Sequence, residues 1–128
     1  MTTQTPSTTQ RVFTARDHIK ENAEHTVQSV YRDQDMGALV EWIEPGKSFE
    51  EPHWHPESAH IFVFVEGEGE ALVGKGKWEK VKAGQFYICS RNKAHAMRNT
   101  SKDKRLAWVC VSVSHGKYVV NPATEHDE

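Results

Sequence analysis

The chain has 128 residues, a mass of 14.6 kDa and a net charge of −2 with neutral histidines. This length predicts one domain with a single core, and the charge balance excludes a broad electrostatic attraction to nucleic acid or to an anionic membrane. No apolar run approaches the roughly 20 residues that span a bilayer. We therefore expect a soluble domain that has neither nucleic acid nor a membrane as its partner.

Polar segments flank the predicted domain. Residues 1–10 are rich in Thr, Gln, Ser and Pro and cannot bury enough apolar surface to become ordered, so we predict a flexible N-terminal tail. Residues 122–128 are polar and acidic and form a predicted C-terminal tail. This leaves 11–121 as a single domain.

Short strands dominate the predicted secondary structure between these tails. Thr14, with Asp17 three residues later, resembles a helix N-cap and predicts a short helix to about Glu21. From Val27 onward, runs rich in Val, Ile, Phe, Tyr and Trp alternate with turn residues, which is typical of strands and hairpins. Many short strands without βαβ units favour an all-β sandwich or barrel. The predicted strands are 28–31, 38–44, 48–53, 59–66, 70–73, 77–80, 85–89, 94–99, 105–114 and 118–120.

Four of the eight histidines stand in a pattern that suggests a metal site. His53 and His55 are one residue apart and project to the same face of a strand. His60 and His95 each lie in a β-like segment of their own. Neutral imidazole is a ligand for zinc, copper, iron and nickel, so the four side chains are candidate metal ligands.

The spacing of these histidines resembles the two sequence motifs of the cupins. Gly46, His53, His55, His60 and Gly67 follow the first motif, G-x5-H-x-H-x3-4-E-x6-G. His60 stands where the motif has its metal-binding Glu, and one extra residue lies between Gly46 and His53.

The second cupin motif, G-x5-P-x-G-x2-H-x3-N, is matched with every spacing kept. It falls on Gly84, Ser90, Asn92, His95 and Asn99. Ser90 and Asn92 replace the Pro and Gly of the motif, which predicts a turn built differently. The resemblance covers roughly 38–112.

The resemblance implies a double-stranded β-helix, a jelly-roll-like β-barrel, with one divalent metal inside it. The implied ligands are His53, His55, His60 and His95, and Glu57 is the alternative to His60. Replacing a carboxylate by an imidazole raises the net charge of the site by one and tilts it toward softer metals. Iron or manganese is expected, with zinc, nickel or copper as alternatives.

Alternation along the strands predicts which side chains line the barrel. Residues two apart on a strand share a face, so inward-facing His60 and His95 predict an aromatic, mostly apolar pocket, which is usual for a small-molecule site. The predicted lining residues are Phe62, Phe64, Met97 and Asn99. The alternative is that the aromatic and Met side chains are plain core. Glu57 and Tyr87 are candidate acid/base groups.

The outward face of the same strand predicts a second subunit. Ile61, Val63 and Val65 are apolar and need covering in so short a chain. Because small cupins are usually homodimers, the resemblance implies a homodimer as well.

The two cysteines bear on the location of the protein. Cys89 and Cys110 lie far apart in apolar runs, so we predict two buried free thiols rather than a disulfide. The N-terminus has no basic patch followed by an apolar stretch, so no secretory signal is predicted. Both observations favour the cytoplasm.

The resemblance implies a metal-dependent enzyme that acts on a small organic substrate. Four protein ligands leave two positions on an octahedral metal, which suits a bidentate substrate or one substrate oxygen together with O2. An O2-dependent dioxygenase that cleaves a C–C bond is the expected activity. The alternatives are a redox-neutral lyase or isomerase and a non-catalytic cupin that binds a small molecule or metal.

Overall fold

An all-β fold accounts for nearly all of the secondary structure, as the sequence predicts. The computed structural model describes residues 11–19, 25–45, 53–54, 58–91, 93–114 and 121–122, and at 25–26, 53–54, 114 and 121–122 it describes the backbone only. Within these ranges no helix is long and apolar enough to cross a membrane. The elements are a 3₁₀ helix, Ala15–His18, and strands β1 His25–Arg32, β2 Met36–Ile43, β3 His53–Trp54, β4 Ser58–Glu66, β5 Glu68–Gly74, β6 Lys77–Lys82, β7 Phe86–Cys89, β8 Met97–Arg98, β9 Leu106–Ser114 and β10 Asn121–Pro122.

The helix near the N-terminus is shorter than the sequence predicts. Thr14 precedes it in an extended conformation and its side chain makes no capping hydrogen bond. Ile19 is again extended, with φ −95° and ψ 122°, so the helix ends after four residues. The predicted end, Glu21, lies outside the described residues. Phe13 and Ile19 both pack on the sheet, and burial of these apolar side chains takes precedence over a weakly capped helix.

Three antiparallel sheets organise the described strands. The largest has the strand order β1-β2-β9-β4-β7, and the other two are β6-β5-β8 and β10-β3. In the largest sheet β4 lies between β7 and β9, so residues distant in sequence become neighbours. His60 is paired with Cys89 on one side and with Ser112 on the other.

Strand β4 alternates between two environments, and this confirms the predicted parity. His60, Phe62 and Phe64 are buried. The residues between and after them, Ile61, Val63 and Val65, are exposed. The first set faces the interior of the fold and the second set faces outward.

Two apolar clusters lie on opposite faces of the five-stranded sheet, because adjacent residues such as Trp42 and Ile43 point to opposite sides of a strand. The inner cluster consists of Ile43, Phe62, Phe64, Ala71, Val81, Cys89, Met97, Leu106, Trp108 and Cys110. The outer cluster is smaller. It consists of Val30, Val40, Trp42 and Ala107, with Phe13, Ala15 and Ile19 of the N-terminal segment packed against it.

Two glycines of the matched motifs adopt backbone conformations that side chains disfavour. Gly67, between β4 and β5, has φ 79°, and Gly84, between β6 and β7, has φ 95°. A Cβ atom at Gly67 would collide with the backbone carbonyl of Arg105. Glycine is therefore required at position 67 both by its dihedral angle and by the close approach of the segment that precedes β9.

Several predicted segments lie outside the described residues. These are 1–10, 48–52, 118–120 and 123–128. The backbone of β10 pairs Asn121 with Trp54 and Pro122 with His53. The strand thus includes the first residue of the segment predicted as the C-terminal tail.

Candidate metal centre

The fold brings two of the four candidate histidines together in its interior. His60 lies on β4, and His95 lies shortly before β8. Their side chains are 2% and 3% exposed. The ring centroids are 4.9 Å apart and the ring planes are inclined by 54°.

This separation fits two imidazoles that share one metal ion. A metal–nitrogen bond of about 2.0–2.1 Å places a ring centroid roughly 3.2 Å from the metal. Two ligands at octahedral or tetrahedral angles then have centroids roughly 4.5–5.2 Å apart. The observed 4.9 Å lies within that range. The two rings therefore satisfy the spacing that a shared metal requires.

Each ring has a cysteine beside its Nδ1 atom. The Sγ atom of Cys110 lies 3.5 Å from Nδ1 of His60, and the Sγ atom of Cys89 lies 3.6 Å from Nδ1 of His95. The Nε2 atom of His60 is completely shielded from solvent. The Nδ1 atoms are thus engaged with sulfur, and Nε2 is the nitrogen through which each ring would hold a metal.

The other candidate ligands fall outside what the structure describes. The backbone of His53 forms part of β3, but its side chain is not described, and neither His55 nor Glu57 is described. Among the described side chains, no group of three or more His, Cys, Asp or Glu residues is arranged to hold a metal ion. The described part of the candidate centre is the pair His60 and His95.

Aromatic rings form a wall beside this pair. The ring of Phe62 stacks against His60 at 5.8 Å and lies 5.0 Å from the ring of His95. It also stacks on Tyr87 at 5.8 Å with an interplanar angle of 15°. Phe62, predicted to line the pocket, is thus in contact with both histidines and excludes water from one side of them.

The hydroxyl of Tyr87 already has a hydrogen-bond partner. It donates to the backbone carbonyl of Leu72 at 3.1 Å. Burial, and secondarily the neighbouring Cys89, raises the pKa of this phenol above its usual value. A phenol with a raised pKa stays protonated near neutral pH, so Tyr87 is suited to donating a hydrogen bond rather than to acting as a base.

Both cysteines are buried free thiols, as predicted from the sequence. Burial raises the pKa of the Cys89 thiol, so this side chain is uncharged at neutral pH. Cys89 and Cys110 lie on β7 and β9, which flank β4. Strands two apart in a sheet are separated by roughly 9–10 Å, which is too far for a disulfide.

Phe64 and Met97, also predicted to line the pocket, belong to the inner apolar cluster. Met97 is fully buried. The ring of Phe64 packs against Trp108 with the centroids 6.1 Å apart. Both side chains lie on the predicted face.

Asn99, the fourth predicted lining residue, holds a loop in place. Its amide nitrogen donates to the carbonyls of Ile43 at 3.0 Å and Lys104 at 2.8 Å. Its amide oxygen accepts a hydrogen bond from the backbone of Ser101 at 2.9 Å. The amide group therefore joins β2 to the loop that precedes β9.

The sequence analysis did not relate three polar or thiol side chains to the inner face of the sheet, although it predicted that the Cys110 thiol is buried. Cys110 and Ser112 are buried on β9 two residues apart, and Ser112 is paired with His60. Glu41 is buried on β2 and is paired with Trp108. Alternation from inward-facing Trp108 would have indicated both β9 residues, but only the pairing of strands relates Glu41 to this face.

Sequence comparison places the chain in a family. A model described as a cupin domain matches residues 39–112. The chain belongs to the cupin family. The matched residues include His60, His95 and all the strands from β3 to β8. No curated protein matches this cupin significantly.

Solved structures similar to this cupin confirm the double-stranded β-helix. One is an uncharacterized conserved protein with a double-stranded β-helix domain from Klebsiella pneumoniae, at 23% identity and a TM-score of 0.79, covering 95% of this chain and 98% of the other. The polyketide cyclase RemF from Streptomyces resistomycificus is 16% identical with a TM-score of 0.70, covering 91% and 87%. The DMSP lyase DddQ from Ruegeria pomeroyi is 16% identical with a TM-score of 0.65, covering 80% and 54%. At these identities the similarity concerns the fold alone.

Proposed function

We propose that this cupin is a metal-dependent enzyme in which His53, His55, His60 and His95 hold one divalent metal. The observation that supports the proposal is the pair of buried imidazole rings 4.9 Å apart. Removing two imidazoles from water costs free energy, and metal coordination offsets that cost. Iron or manganese is the proposed metal, with zinc, nickel or copper as alternatives, and Glu57 is the alternative ligand to His60.

The proposed reaction is an O2-dependent cleavage of a C–C bond in a small substrate such as a diketone. A bound metal supplies Lewis-acid stabilisation of a substrate oxygen. One oxygen atom of O2 enters each fragment, so a 1,3-diketone cleaved beside one carbonyl gives a carboxylic acid and a 2-oxoaldehyde. The four electrons that O2 accepts come from the cleaved substrate, and no further reductant is needed.

The described side chains contribute positioning and exclusion of water. Phe62 covers one side of His60 and His95 and presents an apolar surface to a substrate bound beside them. Tyr87 supports the Phe62 ring from behind. Glu57 is the proposed base, and the hydroxyl of Tyr87 stays bonded to the carbonyl of Leu72.

Metal analysis followed by oxygen uptake tests this function. The protein is purified, its metal content is measured by mass spectrometry, and the metal-free protein is reloaded with Fe²⁺ or Mn²⁺. We expect one metal per chain and consumption of one O2 per substrate with at least one of a panel of diketones, catechols and keto acids. With ¹⁸O2, cleavage of a 1,3-diketone is expected to leave one labelled atom in each of its two fragments. Full occupancy by zinc, with no O2 uptake after reloading with iron or manganese, would contradict the dioxygenase.

A redox-neutral lyase or isomerase is the second candidate. The observation that favours it is the structural similarity to proteins named as a DMSP lyase and a polyketide cyclase. The same metal would act only as a Lewis acid. Turnover that continues at an unchanged rate without O2 distinguishes this candidate from the dioxygenase. Metal and ligand binding without any turnover would instead indicate a non-catalytic binding protein.

We also propose that the protein is a homodimer through the outer face of β4 and β7. Ile61, Val63, Val65, Phe86, Ile88 and Val113 are exposed on this face. Strand pairing places Ile88 beside Ile61 and Phe86 beside Val63, so the side chains form one apolar patch. A contiguous apolar patch marks an interaction surface. Because its exposed side chains are uncharged, it can meet its own copy across a two-fold axis without like-charge repulsion.

Sedimentation velocity tests the homodimer. Wild-type protein is expected to sediment as a dimer at micromolar concentration. Ile88→Lys places two like charges in the interface and is expected to give a monomer. Glu79→Lys, an exposed position on β6, is the matched control and leaves the dimer intact. A wild-type protein that sediments strictly as a monomer contradicts the proposal.

We propose a cytoplasmic location for the protein, and its two free thiols support this location. Cys89 and Cys110 are both buried and form no disulfide. Free thiols persist in a reducing compartment. Cell fractionation of the tagged protein is expected to recover it with cytoplasmic markers, and recovery in an extracytoplasmic fraction contradicts this location.

A further inference from the structure

The groups around Cys89 bear on the position of the proton of His95. At His60 the structure records Cys110 beside Nδ1. At His95 it records Cys89 beside Nδ1 and, in addition, the groups that surround the Cys89 sulfur. The proton of the Cys89 thiol can therefore be assigned a direction.

Three backbone carbonyl groups and the hydroxyl of Tyr87 surround the thiol of Cys89. The Sγ atom lies 3.4 Å from the carbonyl oxygen of Lys93, 3.7 Å from that of Ser90 and 3.9 Å from that of Ala94. A carbonyl oxygen only accepts, and the thiol has one hydrogen. Three acceptors on this side of the sulfur favour a hydrogen directed toward the carbonyls, of which that of Lys93 is closest.

The sulfur then faces His95 as an acceptor. With its hydrogen used, Sγ presents a lone pair to Nδ1 of His95 at 3.6 Å. The contact is a hydrogen bond only if Nδ1 carries the imidazole proton. A neutral ring protonated at Nδ1 has its lone pair on Nε2, which is the form that binds a metal through Nε2.

We propose that Cys89 is a positioning residue that keeps His95 in the Nδ1–H tautomer and so keeps its Nε2 atom ready to bind the metal. This inference rests on the proposed metal site. In most metal sites a carboxylate or a backbone carbonyl accepts the hydrogen bond from the ring nitrogen that does not bind the metal. Here the thiol of Cys89 would accept it. The turn after β7 contributes by supplying the carbonyls that direct the thiol hydrogen away from the ring.

Three substitutions at position 89 separate this role from simple packing. Cys89→Ser keeps one donor for the carbonyls and one acceptor for Nδ1–H. Cys89→Ala is smaller and Cys89→Val is larger than cysteine, and both lack the acceptor. A packing effect depends on side-chain size, whereas loss of the acceptor is common to Ala and Val.

The first measurement is the tautomer of His95 in the metal-free protein. Long-range ¹H–¹⁵N correlation spectra of protein labelled at histidine distinguish Nδ1–H from Nε2–H, and His95→Gln identifies the His95 signal by its loss. We expect Nδ1–H in the wild type and in Cys89→Ser, and a shift toward Nε2–H in Cys89→Ala and Cys89→Val. A wild type in the Nε2–H form overturns the inference.

The second measurement is affinity for Zn²⁺ by competition with a chelator. We expect Cys89→Ser to bind nearly as tightly as the wild type, and Cys89→Ala and Cys89→Val to bind about 10–100-fold more weakly, the range for a lost partner behind a ligand. Affinities within about twofold of the wild type for both Ala and Val overturn the inference. If His95→Gln itself binds Zn²⁺ like the wild type, the metal site fails instead, and the tautomer measurement still stands by itself.

Discussion

The inner and outer faces of the five-stranded sheet are built from the same strands but differ in chemistry. The inner face of β4 carries His60, Phe62 and Phe64, and thiols from both neighbouring strands join them. The outer face of β4 carries only aliphatic side chains at the intervening positions, including Ile61 and Val63. Polar groups are thus concentrated on the face that is fully buried, where each one costs free energy unless it has a partner.

The two faces also differ in what covers them. The inner face is covered by other parts of the barrel, such as Met97 at β8. Among the described residues, Phe13 and Ile19 cover the outer face near β1 and β2, where they pack on the cluster that contains Trp42, and the face is exposed near β7. The inner face therefore combines buried imidazole and thiol groups with apolar side chains, whereas the outer face of β4 is apolar and partly exposed.

Truncating matched phenylalanines on the two faces should produce the largest difference in stability. Phe62 is 2% exposed and Phe86 is 66% exposed. We expect Phe62→Ala to lower the free energy of unfolding by about 3–5 kcal/mol, and Phe86→Ala to change it by less than about 0.5 kcal/mol. Urea denaturation of metal-free protein, dilute enough to be monomeric, measures both values. Equal losses would show that the two faces are not distinct.

Replacing the buried His60 should weaken metal binding, whereas replacing a histidine outside the inner face should not. His60→Gln is expected to weaken Zn²⁺ binding by at least ~100-fold, more than the loss of a partner behind a ligand. His60→Glu restores the carboxylate of the cupin motif and should retain binding while favouring Mn²⁺, a harder metal. Isothermal titration measures each affinity. His18→Gln, in the N-terminal 3₁₀ helix, is the control, and an equal loss there would contradict a site at His60.

Truncating the N-terminal cover of the outer face should have an intermediate effect. Phe13 packs on the cluster around Trp42, whereas the neighbouring Val12 is 92% exposed. Because it removes partly buried apolar area, Phe13→Ala should lower the free energy of unfolding by about 1–2 kcal/mol. Val12→Ala should have almost no effect. If chemical denaturation gave the same midpoint for Phe13→Ala and the wild type, the segment would not stabilise the outer face.

Removing the ion pair that attaches this segment should have the smallest effect. Arg16 donates to Glu66 at 3.0 Å, but the Arg16 side chain is 66% exposed. An exposed pair contributes about 0–1 kcal/mol and is screened by salt. We therefore expect Arg16→Ala to lower the melting temperature slightly at low salt and not at high salt. Arg105, which contacts the same carboxylate and is less exposed, should matter more, and the reverse order would contradict this account.

Local patterns in the sequence account for much of the fold. The alternation of residues 58–66 predicts β4 and both of its faces, and the observed burial follows it. Glycine tolerates positive φ and therefore indicates turns in a sequence. Gly67 and Gly84 both adopt positive φ in the structure. The helix near the N-terminus was predicted less well, because Ile19 is drawn into an extended conformation that packs on the sheet, and a local capping pattern contains no information about that contact.

What the sequence determined by itself is which side chains face inward, since alternation is a property of one strand. It also supplied the cupin motifs and therefore the candidate ligands. Only the tertiary structure decided which inward side chains meet. The order of β4 and β9 in the sheet brings Cys110 to His60, and the segment before β8 brings His95 to His60. Pairing between distant strands is set by the packing of the whole core rather than by any local run of residues.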